Sequence, residues 1–229
     1  MSPRQYREFS SFIKDHFYGW HSRYFAEYGE DSIVNCLLSY RREGFYVDVG
    51  AFHPKRLSST YFFYKKQNWR GIIVEPNTVN AELFKIMLKR DIVVNRVVAS
   101  KASEMKYFMF EYASQNTFDE QFKNDRIAEG MKVVDEAHIK VQPLEELLDE
   151  SLPQDQVIDY LNIDVEGFDL DVLKSNNWKK YRPTIITIED IKFDINNSNK
   201  SEIYTYLKAQ GYKLDDFSYI ILIIKRTND

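Results

Sequence analysis

Short apolar segments that alternate with amphipathic segments constrain the fold of this chain more than any other feature. Each apolar segment is five to eight residues long, and the clearest are residues 44–50, 71–75, 157–164 and 184–189. Strands that are apolar on both faces are buried on both sides, as in a parallel sheet covered by helices. The pattern therefore predicts an α/β fold with helices on both faces of a mostly parallel sheet.

Amphipathic segments predict the helices of this fold. They are residues 4–40, 58–67, 79–89, 143–148, 169–175 and 200–210, with Asp31 and Ser32 as an N-cap and Gly211 at a C′ position. Two closing strands, 212–215 and 219–225, follow each other without a helix, which predicts one antiparallel strand. The pattern thus predicts a doubly wound, Rossmann-like sheet. A terminal hairpin is typical of the methyltransferase variant of this fold, and the strand pattern leaves a dehydrogenase open as the alternative.

The middle of the chain departs from the regular alternation. Residues 92–99 are predicted as a third strand and residues 105–111 as a strand at an edge or in an excursion. Residues 112–138 are polar and are expected to form an irregular insertion or lid. We expect one domain over residues 1–229, with a helical segment at 1–40 and the α/β core at 41–229.

Composition excludes several classes of function. A net charge of −4 lacks the basic surplus of a general nucleic-acid binder. The chain has one cysteine, and no apolar run reaches the length of about 20 residues that spans a bilayer. We therefore expect a cytoplasmic protein without a membrane span. Its expected partner is a small-molecule or sugar acceptor, and its aromatic N-terminal helices offer an interface for an oligomer.

The turn after the first strand selects the class of cofactor. Asp48 and Gly50 are followed by Ala51, Phe52 and His53, without the second glycine that a dinucleotide pyrophosphate requires. S-adenosylmethionine carries no phosphate. We expect Asp48 to bind its amino-acid end, and Gly50 to allow close approach of the backbone.

Acidic residues end the later strands. Glu75 ends the second strand, where a carboxylate accepts hydrogen bonds from ribose hydroxyls, and Asn77 and Ser100 are expected beside the ribose and adenine. Asp164, Glu189 and Asp190 end two neighbouring strands. Such oxygen ligands suit Mg²⁺, which would orient a substrate hydroxyl. In the alternative, Asp164 contacts the cofactor while Glu189 and Asp190 cap helices.

Several motifs, in this order, resemble those of the FkbM-type methyltransferases. They are Tyr28-Gly-Glu-Asp31, residues 44–54 (GFYVDVGAFHP), 69–77 (WRGIIVEPN) and 160–167 (YLNIDVEG), and Arg182-Pro183. The resemblance implies a fold of seven strands and O-methylation, often of a sugar or polyketide hydroxyl. It also implies S-adenosylmethionine bound near Tyr28, Asp48, Gly50 and Glu75. Two positions depart from the family: Ala26-Glu27 replaces Ser-Gln, and Ser58-Ser59-Thr60 replaces Ser-Asn-Thr.

The acidic residues are also similar to those of metal-dependent sugar and catechol O-methyltransferases. Those enzymes carry a Lys or His where this chain has Gly167, so another base is needed beside Asp164. His53 is the first candidate and Glu166 the second. Acceptor hydroxyls are expected to meet polar side chains at the cleft mouth and in the insertion, namely Ser58, Ser59, Thr60, Asn116, Thr117, Arg126 and His138.

Two other functions are weighed against a methyltransferase. A nicotinamide-dependent oxidoreductase lacks support, because the second glycine is missing and the Tyr204/Lys208 pair comes too late in the chain. A non-catalytic cofactor-binding module would keep the fold without turnover. Binding of S-adenosylmethionine or of NAD(H) discriminates among these functions.

Overall fold

A computed structural model describes residues 24–112, 115–118, 120–165 and 167–227. Its strands are β1 Phe45–Val49, β2 Arg70–Val74, β3 Ile92–Val94, β4 Val97–Val98, β5 Ser103–Phe110, β6 Val133–Gln142, β7 Tyr160–Ile163, β8 Ile185–Glu189, β9 Tyr212–Ser218 and β10 Ile221–Arg226. Its helices are α1 Glu30–Leu37, α2 Tyr61–Lys66, α3 Thr78–Met87, α4 Glu120–Ala128, α5 Leu144–Ser151, α6 Asp169–Lys174 and α7 Glu202–Ala209, with a 3₁₀ helix at Ile195–Lys200. Among these helices, none is long and apolar enough to cross a membrane.

The main sheet has seven strands in the order β3-β2-β1-β7-β8-β10-β9. Neighbouring strands are parallel from β3 to β8, and β10 is antiparallel to both β8 and β9. The predicted seven-stranded, mostly parallel Rossmann-like sheet with one antiparallel strand is confirmed. The strand order reverses between β1 and β7, and ligands bind at such a switch point in doubly wound folds.

Helices cover both faces of this sheet, as predicted. Alternate residues of β1 point to opposite sides, so that Val47 packs in one apolar cluster and Tyr46 in the other. The first cluster includes side chains of α5, α6 and α7, among them Leu147, Val172 and Leu207. The second includes Val34, Phe63 and Phe84 from α1, α2 and α3. Burial on both faces explains why β1, β2 and β8 are apolar at nearly every position.

A smaller sheet corrects two predictions. Residues 92–99 form two strands, because the chain leaves the main sheet at Asn95, whose side-chain amide donates to the carbonyls of Glu75 and Pro76 at 2.8 Å. β4 then pairs with β6, and β6 pairs antiparallel with β5. Residues 112–138 are thus not irregular, since they contain α4 and the first half of β6. One face of β6 is exposed, which is why its sequence is polar.

The N-terminal helical segment is shorter than predicted. Residues 24–29 are not helical, and α1 begins after Gly29, whose φ of 78° lies in the left-handed region. Asp31 is therefore inside the helix rather than at its N-cap. Its carboxylate accepts from the backbone N–H of Phe25 at 2.7 Å and so holds the preceding loop. Residues 4–23 lie outside the described residues.

Candidate functional site

A cavity of about 390 Å³ opens at the carboxyl ends of β1, β2 and β7. The smaller sheet forms its opposite wall with side chains of β5 and residues 116–118. The polar and aromatic side chains of the two walls are Glu27, Asp48, Phe52, Ser59, Glu75, Asn80, Arg96, Tyr107, Asn116, Thr117, Phe118, Asn162, Asp164 and Phe168. This position at the switch point of the sheet is where doubly wound folds bind their ligands.

Asp48 lies at the floor of the cavity with 1% of its surface exposed. Its carboxylate accepts from Thr60 Oγ1 at 2.6 Å and from Asn162 Nδ2 at 2.9 Å. Burial raises the pKa of Asp48 to about 6, although these two hydrogen bonds oppose the shift. Asp48 is therefore a fixed carboxylate whose charge lacks a cationic partner among the described residues.

Gly50 brings the turns after β1 and β7 together. Its φ is 86°, and its N–H donates to the carbonyl of Val74 at 3.0 Å. A Cβ atom at this position would overlap the backbone carbonyl of Asp164. The structure thus gives a reason for the glycine that differs from the predicted approach to a cofactor: the chain itself occupies the space.

Glu75 ends β2 and shapes the next part of the cavity. Its carboxylate accepts from the N–H of Phe52 at 2.9 Å and from the N–H of Asn77 at 2.7 Å. Burial raises the pKa of Glu75 to about 7, against the effect of both hydrogen bonds. The side chain of Asn80 also donates to this carboxylate, so at least one of its about four lone-pair sites is left for a ligand hydroxyl.

Three residues predicted to bind the cofactor do not line the cavity. Asn77 is the N-cap of α3, and its Oδ1 accepts from the N–H groups of Val79 and Asn80. The N–H of Ser100 donates to Asp171 at 2.8 Å. The ring of Tyr28 packs against Tyr219 at a centroid distance of 5.0 Å, and burial raises its pKa to about 12.

The predicted metal ligands are not brought together. Asp164 lines the cavity, but Glu189 and Asp190 do not. The Asp190 carboxylate accepts from Ser201 Oγ at 2.6 Å and organises the entry to α7 instead. In the described ranges, no group of three or more His, Cys, Asp or Glu side chains is placed to hold a metal ion. The prediction that these acids converge on Mg²⁺ is therefore wrong.

His53 lies outside the cavity wall. Its Nδ1 accepts from the backbone N–H groups of Lys55 at 3.1 Å and Arg56 at 3.0 Å. In a neutral imidazole the proton is then on Nε2, which makes the free nitrogen a donor. Burial lowers the pKa of His53, with a smaller effect from Arg56. This placement gives His53 a turn-forming role and does not support it as the base; Glu166, the second candidate, lies outside the described residues.

The predicted acceptor residues divide into two groups. Ser59 and Asn116 line the cavity, and Ser59 Oγ donates to Glu30 at 2.7 Å. Thr60 is buried behind them on Asp48, and Ser58 Oγ accepts from the N–H of Tyr61 at the start of α2.

Two predicted acceptor residues lie on the outer surface of the insertion instead. Arg126 pairs with Glu129 at 2.7 Å on α4, and His138 is exposed on β6. Neither lines the cavity, so the contact of Arg126 and His138 with the acceptor stays a prediction. The alternation of β6 turns His138 to the solvent, whereas its neighbour Ile139 is buried.

Sequence reasoning missed the contribution of the smaller sheet. Tyr107 and Phe118 line the cavity with their ring centroids 4.5 Å apart. Arg96 lines it between β3 and β4, and its buried Nε has no hydrogen-bond partner in the part of the chain that the structure describes. The aromatic residues at the end of β5 are the sequence signal, since Tyr107, Phe108 and Phe110 are buried whereas Ser103, Glu104 and Lys106 are exposed.

The comparison with protein families decides the identity of this fold. The family described as methyltransferase FkbM domain matches residues 48–214. The chain belongs to the FkbM methyltransferase family. It is accordingly an S-adenosylmethionine-dependent methyltransferase, and its Rossmann-like sheet is of the class I methyltransferase type. No curated protein gives a significant match.

Solved methyltransferases resemble the fold at low sequence identity. Methyltransferase FkbM from Methylobacillus flagellatus KT has a TM-score of 0.47 and 12% identity, over 80% of this chain and 43% of that one. A putative O-methyltransferase from Klebsiella pneumoniae has a TM-score of 0.48 and 9% identity, over 95% of this chain and 87% of that one. The Burkholderia thailandensis 1,6-didemethyltoxoflavin-N1-methyltransferase was solved with S-adenosylhomocysteine. It has a TM-score of 0.44 and 13% identity, over 100% of this chain and 92% of that one. The chain spans less than half of the FkbM structure.

The donor set of the cavity fits S-adenosylmethionine. Asp48 and Glu75 are buried carboxylates with raised pKa values, so their ionised forms are stabilised by a cationic ligand. Four acidic residues and one arginine line the cavity among the described residues. That balance suits a ligand with an ammonium and a sulfonium group, and it disfavours a pyrophosphate beside Asp48.

Proposed function

We propose that this FkbM-family chain transfers a methyl group from S-adenosylmethionine to a hydroxyl oxygen of a sugar or of a related small molecule. The observation that carries the proposal is the position of Asp164. It lines the same cavity as Asp48 and Glu75, and it lies at the end of β7, the neighbour of β1 in the sheet. The proposal assigns the Asp164 carboxylate to the acceptor, and those of Asp48 and Glu75 to the cofactor.

Three groups of residues hold the cofactor in this proposal. Asp48 binds the amino-acid end, and Glu75 accepts hydrogen bonds from the ribose hydroxyls. The rings of Tyr107 and Phe118 offer an apolar wall for the adenine. When bound, S-adenosylmethionine supplies an electrophilic methyl group with a neutral leaving group. The protein's contribution is then mainly alignment of the acceptor oxygen.

In this proposal Asp164 and neutral polar side chains contact the acceptor. The Asp164 carboxylate accepts the proton of the acceptor hydroxyl, which a hydroxyl must lose to become an ether. Ser59 and Asn116 line the cavity and are suited to hydrogen bonds with further hydroxyl groups. Divalent-metal assistance is not part of the proposal, because Glu189 and Asp190 do not line the cavity that Asp164 lines.

The proposal extends to the organisation of the chain. Residues 41–229 form the catalytic core and act with residues 1–40 as one cytoplasmic domain, and residues 112–138 close over the acceptor. The charge of the cavity disfavours the oxidoreductase. Its pyrophosphate would lie beside four acidic residues and one arginine among the described residues, at a turn that lacks the second glycine.

A methyl-transfer assay tests the proposal. Radiolabelled S-adenosylmethionine is incubated with the protein and with sugars, phosphorylated sugars and amines, and products are identified by mass spectrometry. We expect label in an ether that resists mild base. In Asp164→Asn, transfer is expected to fall about 100-fold with cofactor affinity retained, whereas Asp155→Asn, an exposed control, is unaffected. Label on nitrogen, or equal activity of both variants, would contradict the proposal.

A further inference from the structure

A second depression of about 590 Å³ lies beside the cavity. Its wall comes from residues 24–27 and from the turn between β1 and α2. Glu27 and Leu57 line both the depression and the cavity, so the two spaces are neighbours that share a wall. A molecule that reaches into the cavity from this side has part of its length in the depression.

The depression has the opposite charge balance to the cavity. It is lined by His53, Lys55 and Arg56 with a single acid, Glu27, whereas the cavity is lined by four acids and one arginine among the described residues. Lys55 and Arg56 are exposed, and no ion pair involves either of them within the described ranges. Their positive charges are therefore available to an anionic ligand.

Two contacts fix this cationic turn against the cavity. The guanidinium of Arg56 lies 5.5 Å from the centroid of the Phe52 ring, and Phe52 lines the cavity. His53 accepts the N–H groups of Lys55 and Arg56 on Nδ1, which orders the turn. Because Nδ1 is an acceptor, the neutral ring carries its proton on Nε2 and adds one neutral donor to the two cations.

Cavity size assigns the depression to the acceptor. A volume of about 390 Å³ is near the lower end of the range for ligand sites, about 300–1,000 Å³. It suits one cofactor-sized molecule and leaves room for little more than the reacting group of an acceptor. The remainder of the acceptor then extends into the neighbouring depression, where it meets Lys55, Arg56 and His53.

We propose that the acceptor is phosphorylated, with its phosphate held in the outer depression by Lys55, Arg56 and the Nε2–H of His53 while its hydroxyl reaches the cavity. Arg forms paired hydrogen bonds with phosphate oxygens, and Lys adds a point charge. The inference rests on the proposed function and narrows its substrate class from sugars to phosphorylated sugars or other soluble phosphate esters.

Calorimetric titration of inorganic pyrophosphate into the protein saturated with S-adenosylhomocysteine tests the inference. We expect binding that weakens with added salt and that falls about ten-fold or more in Lys55→Ala/Arg56→Ala, because two charge-assisted contacts are lost. The matched control is Lys65→Ala/Lys66→Ala, which removes the same charge from the last turn of α2. Its affinity should equal that of the wild type. Absence of binding, or equal losses in the two variants, would overturn the inference.

Two further measurements distinguish a lipid phosphate from a soluble phosphate ester, and a failure of this inference from a failure of the proposed function. Sedimentation with phosphatidylglycerol vesicles that depends on Lys55 and Arg56, without binding of pyrophosphate, would overturn a soluble acceptor in favour of a lipid surface. Heat from S-adenosylhomocysteine without heat from pyrophosphate would overturn this inference alone. Absence of heat from S-adenosylhomocysteine would overturn the proposed function as well.

Discussion

At the scale of the residue, Gly50 connects backbone geometry to the cavity. Its φ of 86° and the nearby Asp164 carbonyl both exclude a side chain. Gly130 offers a matched control, because its φ is 92° but no atom of the described residues lies within 4 Å of a Cβ there. We expect Gly130→Ala to lower the free energy of unfolding by about 1 kcal/mol. Gly50→Ala should cost about 3 kcal/mol or more, because strain and overlap add.

Denaturant unfolding of the two glycine variants measures this difference. Circular dichroism gives the free energy of unfolding of each variant relative to the wild type. Equal losses in Gly50→Ala and Gly130→Ala would contradict the close approach of the β1 and β7 turns.

The buried carboxyl group of Asp91 predicts how the stability of the protein depends on pH. Its carboxylate accepts from Tyr46 Oη at 2.5 Å and from the N–H of Gly71 at 2.9 Å, and burial raises its pKa from 3.8 to about 7. The folded state thus binds this proton more tightly than the unfolded chain. Stability from this group is present below its unfolded pKa and is lost as the pH rises through about 7.

Thermal unfolding of the ligand-free protein tests the sign. We expect the Tm of the wild type to fall between about pH 4 and pH 7, because Asp31, Asp48 and Glu75 also have raised pKa values. Asp91→Asn cannot ionise and should show a shallower fall. A Tm that rises over this interval, or an unchanged slope in the variant, would contradict the assignment.

Strand ends could be predicted residue by residue, and loop side chains could not. Asp48, Glu75 and Asp164 all line the cavity, because the carboxyl ends of parallel strands meet at one edge of the sheet. The direction of the His138 side chain could not be predicted, since it depends on the pairing register of β5 with β6. The Asn77 side chain caps α3, where it accepts from two backbone N–H groups, and its place at the end of β2 did not reveal this contact.

At the scale of the element, the smaller sheet supplies one wall of the cavity. Phe118 lines the cavity next to Tyr107, whereas Phe122 lies on α4 and is partly exposed without lining it. Aromatic contacts with a nucleobase are worth about 1–3 kcal/mol on alanine substitution. We therefore expect Phe118→Ala to weaken S-adenosylhomocysteine binding about five-fold or more.

Phe122→Ala is the control for this wall. Both variants remove a phenylalanine ring from the insertion, but only Phe118 faces the proposed adenine site. Calorimetry should give Phe122→Ala the affinity of the wild type. Equal weakening, or none in either variant, would argue that the smaller sheet does not contact the cofactor.

The same sheet shows where pattern reasoning failed. β1, β2 and β8 of the main sheet are apolar at nearly every position and were predicted to within a few residues, since burial on both faces leaves little choice of side chain. β6 has only one buried side and carries charges on the other, and α4 has no buried residue among those described. Segments with so little buried apolar surface resemble a loop in sequence.

At the scale of the whole molecule, binding of a cationic ligand in the cavity is coupled to the loss of protons from two carboxyl groups. Asp48 and Glu75 have pKa values of about 6 and about 7, so both are partly protonated near pH 6.5. A bound cation favours their ionised forms and lowers both pKa values. S-adenosylmethionine binding should therefore release protons and become tighter as the pH rises from about 6 to about 8.

Calorimetry in two buffers of different ionisation enthalpy counts these protons. Glu75→Gln should release fewer protons on binding than the wild type and show a weaker dependence on pH. Proton uptake, or tighter binding at low pH, would contradict a cation held by these carboxylates.

The most direct measurement is a calorimetric titration of S-adenosylmethionine and of NADH into the wild type, Asp48→Asn and Glu75→Gln. Binding of S-adenosylmethionine alone, weakened about ten-fold in each variant by loss of a buried carboxylate contact, is the predicted result. Binding of NADH instead, or an affinity for S-adenosylmethionine that neither variant changes, would contradict the assignment of this cavity to the methyl donor.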